Sequence, residues 1–231
     1  MNIPPLCSIE WGTVADWGVA VGTLVVAAVA IAQETIRGWF YHPEFKVSCT
    51  GGPPDCVAVP VTDLDGLFLG DSIYLRILVE NTGSATAQTA EVYAKELRVQ
   101  LENGNWDIVS TFPPMNLTWA NLGVTYNRIL PGMAKHCDVG HIVDPARRRD
   151  MDNEDVPELR LSSTEATLAF ELIARPNNKT HIVGPGKYEL DIQVAAENAR
   201  PITRTLTISL PGTWYADENR MLRDGVGLSV T

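Results

Sequence analysis

The chain has 231 residues, 28 of them acidic and 18 basic, for a formal net charge of −10. That length allows one domain with a real core, and the acidic balance argues against general binding of nucleic acid or anionic lipid, both of which reward Lys and Arg. The 15 prolines and 18 glycines fall mostly between apolar runs, which argues for many turns rather than long helices.

In chain order, the first feature is an apolar run. No charge falls between Asp16 and Glu34, leaving 17 residues from Trp17 to Gln33. This is the short end of what spans a bilayer as a helix. Trp11 and Trp17 flank it on one side, and Trp39, Phe40 and Tyr41 on the other, as suits the two headgroup zones. The expected division is a short N-terminal tail over 1–16 and a transmembrane helix with its aromatic collar over 17–41. A secretory signal peptide and a buried core helix are the alternatives. Ala28-Val29-Ala30 resembles a cleavage site, but residues 1–16 lack the Lys or Arg that open a signal peptide. Gly18, Gly22, Val25 and Val29 recur at intervals of 4, 3 and 4, so they stack on one side of a helix. Small residues there let helices approach closely, which makes this face the candidate helix–helix contact of a homo-oligomer. Arg37 and Lys46 follow the run and no basic residue precedes it. The expected protein is therefore single-pass in the inner membrane of a cell, with its C-terminal domain in the cytoplasm.

After the anchor the pattern changes to short alternating segments. Phe45–Cys49 and Cys56–Val61 are strand candidates, and in Ser72–Glu80 the residues Leu75, Ile77 and Val79 share one face. Residues 86–101 slip phase, with Ala90, Val92 and Ala94 inward at even positions and Leu97, Val99 and Leu101 inward at odd ones. A β-bulge near Lys95 or Glu96 restores one inner face. Glu102-Asn-Gly-Asn105 turns the chain, and Trp106–Val109 returns as a hairpin partner. Residues 144–158 are highly charged and read as an exposed loop. Alternation resumes at Leu168, Phe170 and Leu172, at Tyr188 to Val194, and at Leu206, Ile208 and Leu210. An all-β antiparallel sandwich over 42–212 is predicted, with 213–231 as a C-terminal tail or short helix. Gly184-Pro-Gly-Lys-Tyr188 matches the tyrosine corner of immunoglobulin-like folds.

Three pieces resemble the CARDB-type, or cell-adhesion-related, immunoglobulin-like modules of bacteria. Leu75-Arg-Ile-Leu-Val-Glu-Asn-Thr-Gly-Ser-Ala-Thr-Ala87 is similar to their strand ending in Asn-x-Gly and small residues. Leu130-Pro-Gly132 is similar to their mid-domain turn, and Gly186–Val194 with Glu197-Asn198 to their late strand and its polar exit. The resemblance covers roughly 70–210 and implies an immunoglobulin-like β-sandwich. It says little of function, since such sandwiches serve as spacers, adaptors and binding modules. The long loops at 112–128 and 144–158 depart from the pattern, as does the expected cytoplasmic side.

Chemistry is sparse. His136-Cys-Asp-Val-Gly-His141 is the dense cluster of metal-ligand types, yet strict alternation puts Cys137 and His141 on one face and His136 and Asp138 on the other. No metal, cofactor or catalytic residue is expected. No Gly-x-Ser-x-Gly elbow or phosphate loop occurs. Arg147, Arg148 and Arg149 form the candidate anion or ligand contact, opposed by Asp150, Asp152, Glu154 and Asp155 immediately after. Of the four cysteines, Cys49 and Cys56 bracket a turn-rich loop and would close it as a disulfide outside a reducing cytosol. The expected function is a membrane-anchored interaction module without catalytic activity. Its partners are the lipid bilayer and a second copy or another protein, not nucleic acid. The alternative is an oligomeric membrane effector, in which the sandwich senses a ligand and the helices perturb the bilayer in defence or stress signalling.

Overall fold

The computed structural model describes residues 13–148 and 164–231, with backbone alone for 34–40. The chain divides into two units, Met1–Tyr41 and His42–Thr231.

In the first unit the apolar run forms helix α1, Val14–Phe40. Thr13 and Asp16 begin it as a capping box: the Thr13 N–H and hydroxyl both donate to Asp16 Oδ2 at 2.7 Å, and the Asp16 N–H donates to Thr13 Oγ1 at 3.4 Å. The 20 residues Val14–Gln33 have a mean hydropathy of 2.0. At 1.5 Å per residue they reach about 30 Å, the thickness of a bilayer's hydrocarbon core. The one hydroxyl in the middle, Thr23, donates to Val19 O at 2.8 Å and so satisfies itself within the helix. The helix continues past the apolar run and carries Glu34 and Arg37 in its last turns.

The second unit is built from antiparallel strands in two sheets, each with seven strands among the described residues. The first sheet holds β1 (Phe45–Ser48), β2 (Cys56–Thr62), β3 (Phe68–Asn81), β7 (Thr118–Trp119), β9 (Ala134–Val143), β10 (Leu168–Phe170) and β11 (Ile182–Val183). The second holds β4 (Ala87–Gln100), β5 (Trp106–Ile108), β6 (Met115–Asn116), β8 (Tyr126–Ile129), β12 (Gly186–Ala196), β13 (Ala199–Leu210) and β14 (Gly227–Val230). Leu75, Ile77 and Val79 of β3 and Leu190, Ile192 and Val194 of β12 are fully buried in one hydrophobic cluster shared by both sheets. The phase slip in β4 is a bulge: Asp191 stands opposite Glu96 and Ile192 opposite Ala94, so Lys95 is the extra residue. Past it Leu97 is buried, but Leu101 is exposed where β4 ends.

Asn81 ties the segments together. It is wholly buried, and its side chain makes four bonds. Oδ1 accepts from Glu44 N (3.2 Å) and Gly83 N (3.1 Å), and Nδ2 donates to Ala85 O (2.8 Å) and Ile129 O (2.9 Å). Its backbone N–H donates to Met133 O, and its carbonyl accepts from Gly132 N, so the Leu130-Pro-Gly132 turn is fastened to it as well. Gly83 is required there, because a Cβ would stand 2.3 Å from His42 O. Two further polar groups are satisfied inside: Tyr188 Oη donates to Gly184 O at 2.9 Å, and Trp119 Nε1 donates to Ala90 O and Thr125 O.

The C-terminal segment does more than a tail would. Glu218–Arg220 forms a helical turn, Met221–Gly225 a wider one, and β14 then joins the edge of β13 with Leu228 opposite Ile208. Met221 is buried in the core, and Glu218 Oε1 accepts from Ala58 N of β2 at 2.7 Å. Replacing Ile192 by Ala is expected to cost on the order of 2–5 kcal/mol, as for a fully enclosed side chain. Asn81→Ala, which orphans several buried groups, should cost at least roughly 2 kcal/mol. Both are read as shifts in denaturation midpoint followed by tryptophan fluorescence, and near-wild-type midpoints would contradict this packing.

Candidate functional site

The densest chemistry lies across the outer face of the first sheet, and a bulge creates it. In β9, Asp138 stands opposite Arg76 and Gly140 opposite Leu75, which leaves Val139 as the extra residue. Strict alternation therefore fails. Cys137 faces the core, whereas His136, Asp138 and His141 share the other face, correcting the expectation that His141 sits with Cys137. Gly140 permits the kink, since a Cβ there would meet Ala169 O of β10 at 2.6 Å.

These groups pair off in a row. His136 Nε2 lies 2.9 Å from Asp55 Oδ1, which precedes β2. Arg76 Nε donates to Asp138 Oδ1 at 2.8 Å, with side chains only 14% and 11% exposed. His141 Nδ1 lies 2.5 Å from Glu171 Oε1 and its ring packs on Tyr74, with centroids 5.5 Å apart. The Arg76 guanidinium in turn stands 5.3 Å from the Tyr74 ring centre. Asp55, Tyr74, Arg76 and Glu171 come from three other segments, and no sequence spacing joins them. The readable signal was Gly140 inside a strand beside a histidine.

Electrostatics separate the two aspartates. Burial pushes the Asp138 carboxyl up more strongly than the Arg76 hydrogen bond and charge pull it down. At Asp55 burial also pushes upward, but hydrogen bonds from the Thr50 N–H, His136 and the Thr50 hydroxyl outweigh it and hold the carboxyl below its ordinary range. Among the described residues no three His, Cys, Asp or Glu side chains are placed to hold a metal ion together. Each acid here is matched to a base or a cation, and these pairs lock strands together.

The arginines lie elsewhere. Arg147 ends a 3-10 turn at Pro145–Arg147 and donates to Leu69 O; it lines a cavity of about 180 Å³ with Asp71, Asp144 and Trp214. Arg148 donates to Glu165 O. Two carboxylates beside Arg147 and carbonyl bonds to both guanidinium groups leave a poor anion site. Arg149 lies outside the described residues. On α1, a Cβ added at Gly18 or Gly22 would meet nothing, and Val25 and Val29 are exposed, so that face is open. A second cavity of about 240 Å³ opens beside Tyr188, lined by Val99, Val109, Asn178, Thr180 and Ile182.

The aspartates make opposite predictions for acid. Asp138, raised in the fold, adds stability that is present below its unfolded value of about 3.9 and lost as pH rises through the folded one. Asp55, lowered in the fold, adds stability present above that value and lost as pH falls. On acidification from about pH 6 to pH 3, Asp55→Asn should therefore lose stability less steeply than wild type and Asp138→Asn more steeply. Denaturant midpoints across that range check this; slopes that change in the same direction would contradict it.

Comparison with models of known protein families gives no match to this chain, and none is found among curated proteins.

Proposed function

We propose that the chain is a single-pass inner-membrane protein whose β domain, an immunoglobulin-like sandwich of the CARDB type, is a non-catalytic interaction module. The observation that carries this reading is α1. Its 20-residue apolar stretch has side chains exposed all round, a surface that water disfavours and lipid accepts. Arg37 and Lys46 after it, with no basic residue before it, support a cytoplasmic β domain. The Tyr188–Gly184 bond and the joining of Asn81 to the Leu130-Pro-Gly132 turn support the immunoglobulin-like assignment, since they give the resembling motifs a structural task.

An interaction role is supported by the turn between β2 and β3. Asp63 Oδ1 accepts from Asp65 N and Leu67 N and rigidifies the tip, while Leu64, Leu67 and Phe68 stand in solvent. Large apolar side chains grouped on a rigid turn suit a protein partner. The open Gly18, Gly22, Val25 and Val29 face supports self-association in the membrane, and it is also what the effector alternative requires. Replacing Gly18 and Gly22 by Leu should weaken crosslinking in native membranes, whereas changing Ala20 and Thr23 should not. High expression should leave the membrane potential of the host intact. Depolarisation that the glycine changes abolish would replace this reading with the effector.

A further inference from the structure

Strands β1 and β2 lie end to end along one edge of β3, with Ser48 opposite Leu78 and Cys56 opposite Leu75. Between them the chain leaves the sheet and returns to the same edge. Asp55 closes this excursion: its Oδ2 accepts from Thr50 N at 2.6 Å and from the Thr50 hydroxyl at 2.9 Å. The N–H groups of Asp55 and Cys56 both donate to Gly52 O, at 3.0 and 2.9 Å. Gly51 takes a left-handed φ of +70°, and its N–H points at Cys49 Sγ at 3.4 Å.

This geometry brings Cys49, the residue after β1, close to Cys56, the first of β2. The two thiols interact, and Cys56 lies in the core cluster with Cys49 packed against it. They differ in access, because Cys56 is buried and Cys49 is half-buried. The interaction between the two thiols holds Cys49 below its ordinary range against the effect of burial, and the same interaction together with burial pushes Cys56 up. A half-buried cysteine beside a buried partner is the arrangement that thiol–disulfide exchange uses. Cys137 has no such arrangement: it is fully buried, and its thiol donates to Thr118 O.

We propose that Cys49 and Cys56 are an oxidisable dithiol that reacts with low-molecular-weight disulfides, Cys49 attacking and Cys56 resolving. The Cys49 thiolate attacks one sulfur of the small disulfide, forms a mixed disulfide and expels one small thiolate. Cys56 then gives up its proton and attacks Cys49 Sγ, expelling the second small thiol. Two protein thiols and one small disulfide become one protein disulfide and two small thiols, with no other oxidant. The product staples β1 to β2 and closes the loop that presents Asp55 to His136. The inference does not depend on the membrane reading.

The test treats the full-length protein, in detergent micelles, with oxidised glutathione, followed by alkylation and peptide mass analysis. Wild type should yield a Cys49–Cys56 linked peptide, lighter by two hydrogens, with no glutathione retained. Cys56→Ser should trap glutathione on Cys49, at least about tenfold faster than Cys49→Ser acquires it on Cys56. Both wild-type thiols remaining alkylatable would overturn the proposal whether or not the variants fold. Equal labelling of the two variants would overturn the assigned order of attack.

Discussion

The buried amide of Asn81 holds together parts of the chain that are far apart in sequence. Glu44 belongs to the segment that leads from α1 into β1, Gly83 and Ala85 to the exit from β3, and Ile129 to the end of β8. Asparagine suits this place because one uncharged side chain offers two acceptor and two donor directions, all used here. Aspartate would bring a charge into the core and lose the donors. The neighbouring Gly83 is needed for a different reason, the close approach of His42–Glu44. The segment His42–Glu44 before β1 is therefore fastened to β3, and β3 is the strand to which β1, β2 and β9 all attach.

The row of charges on the first sheet sits on the other side of that strand. A buried ion pair such as Arg76–Asp138 is weak support for stability, since desolvation offsets much of the attraction. The rise at Asp138 expresses that cost directly. What the row does provide is strand-specific pairing. Asp55 joins the β1–β2 loop to β9, and Glu171 joins the end of β10 to β9, so each partner fixes a register that apolar contacts alone leave freer.

The legible parts of the sequence were those where polarity alternates against a buried face. Strands β3, β12 and β13 announce themselves this way, and the bulge at Lys95 shows because the apolar positions change from even to odd on its two sides. The bulge at Val139 gave no such sign. His136, Cys137, Asp138 and Val139 mix types that occur on either face, so the phase is not readable and strict alternation puts His141 on the wrong one. Strand β14 was hidden for a related reason: Gly227–Val230 is four residues long, and its pairing with β13 is a tertiary fact. The charged pairs were invisible because their members come from separate strands. The two cysteines were visible as a spacing, but their contact depends on β1 and β2 sharing one edge of β3.

Anchoring by α1 is the claim on which the functional reading rests. The most direct measurement is extraction of membranes from expressing cells with alkaline carbonate, which strips proteins held by charge or by a partner but leaves spanning helices in the bilayer. The full chain should stay with the membrane, and a variant carrying Val21→Asp and Val25→Arg, charged at the middle of the apolar stretch, should be released. Release of the wild-type chain into the carbonate supernatant would contradict the account.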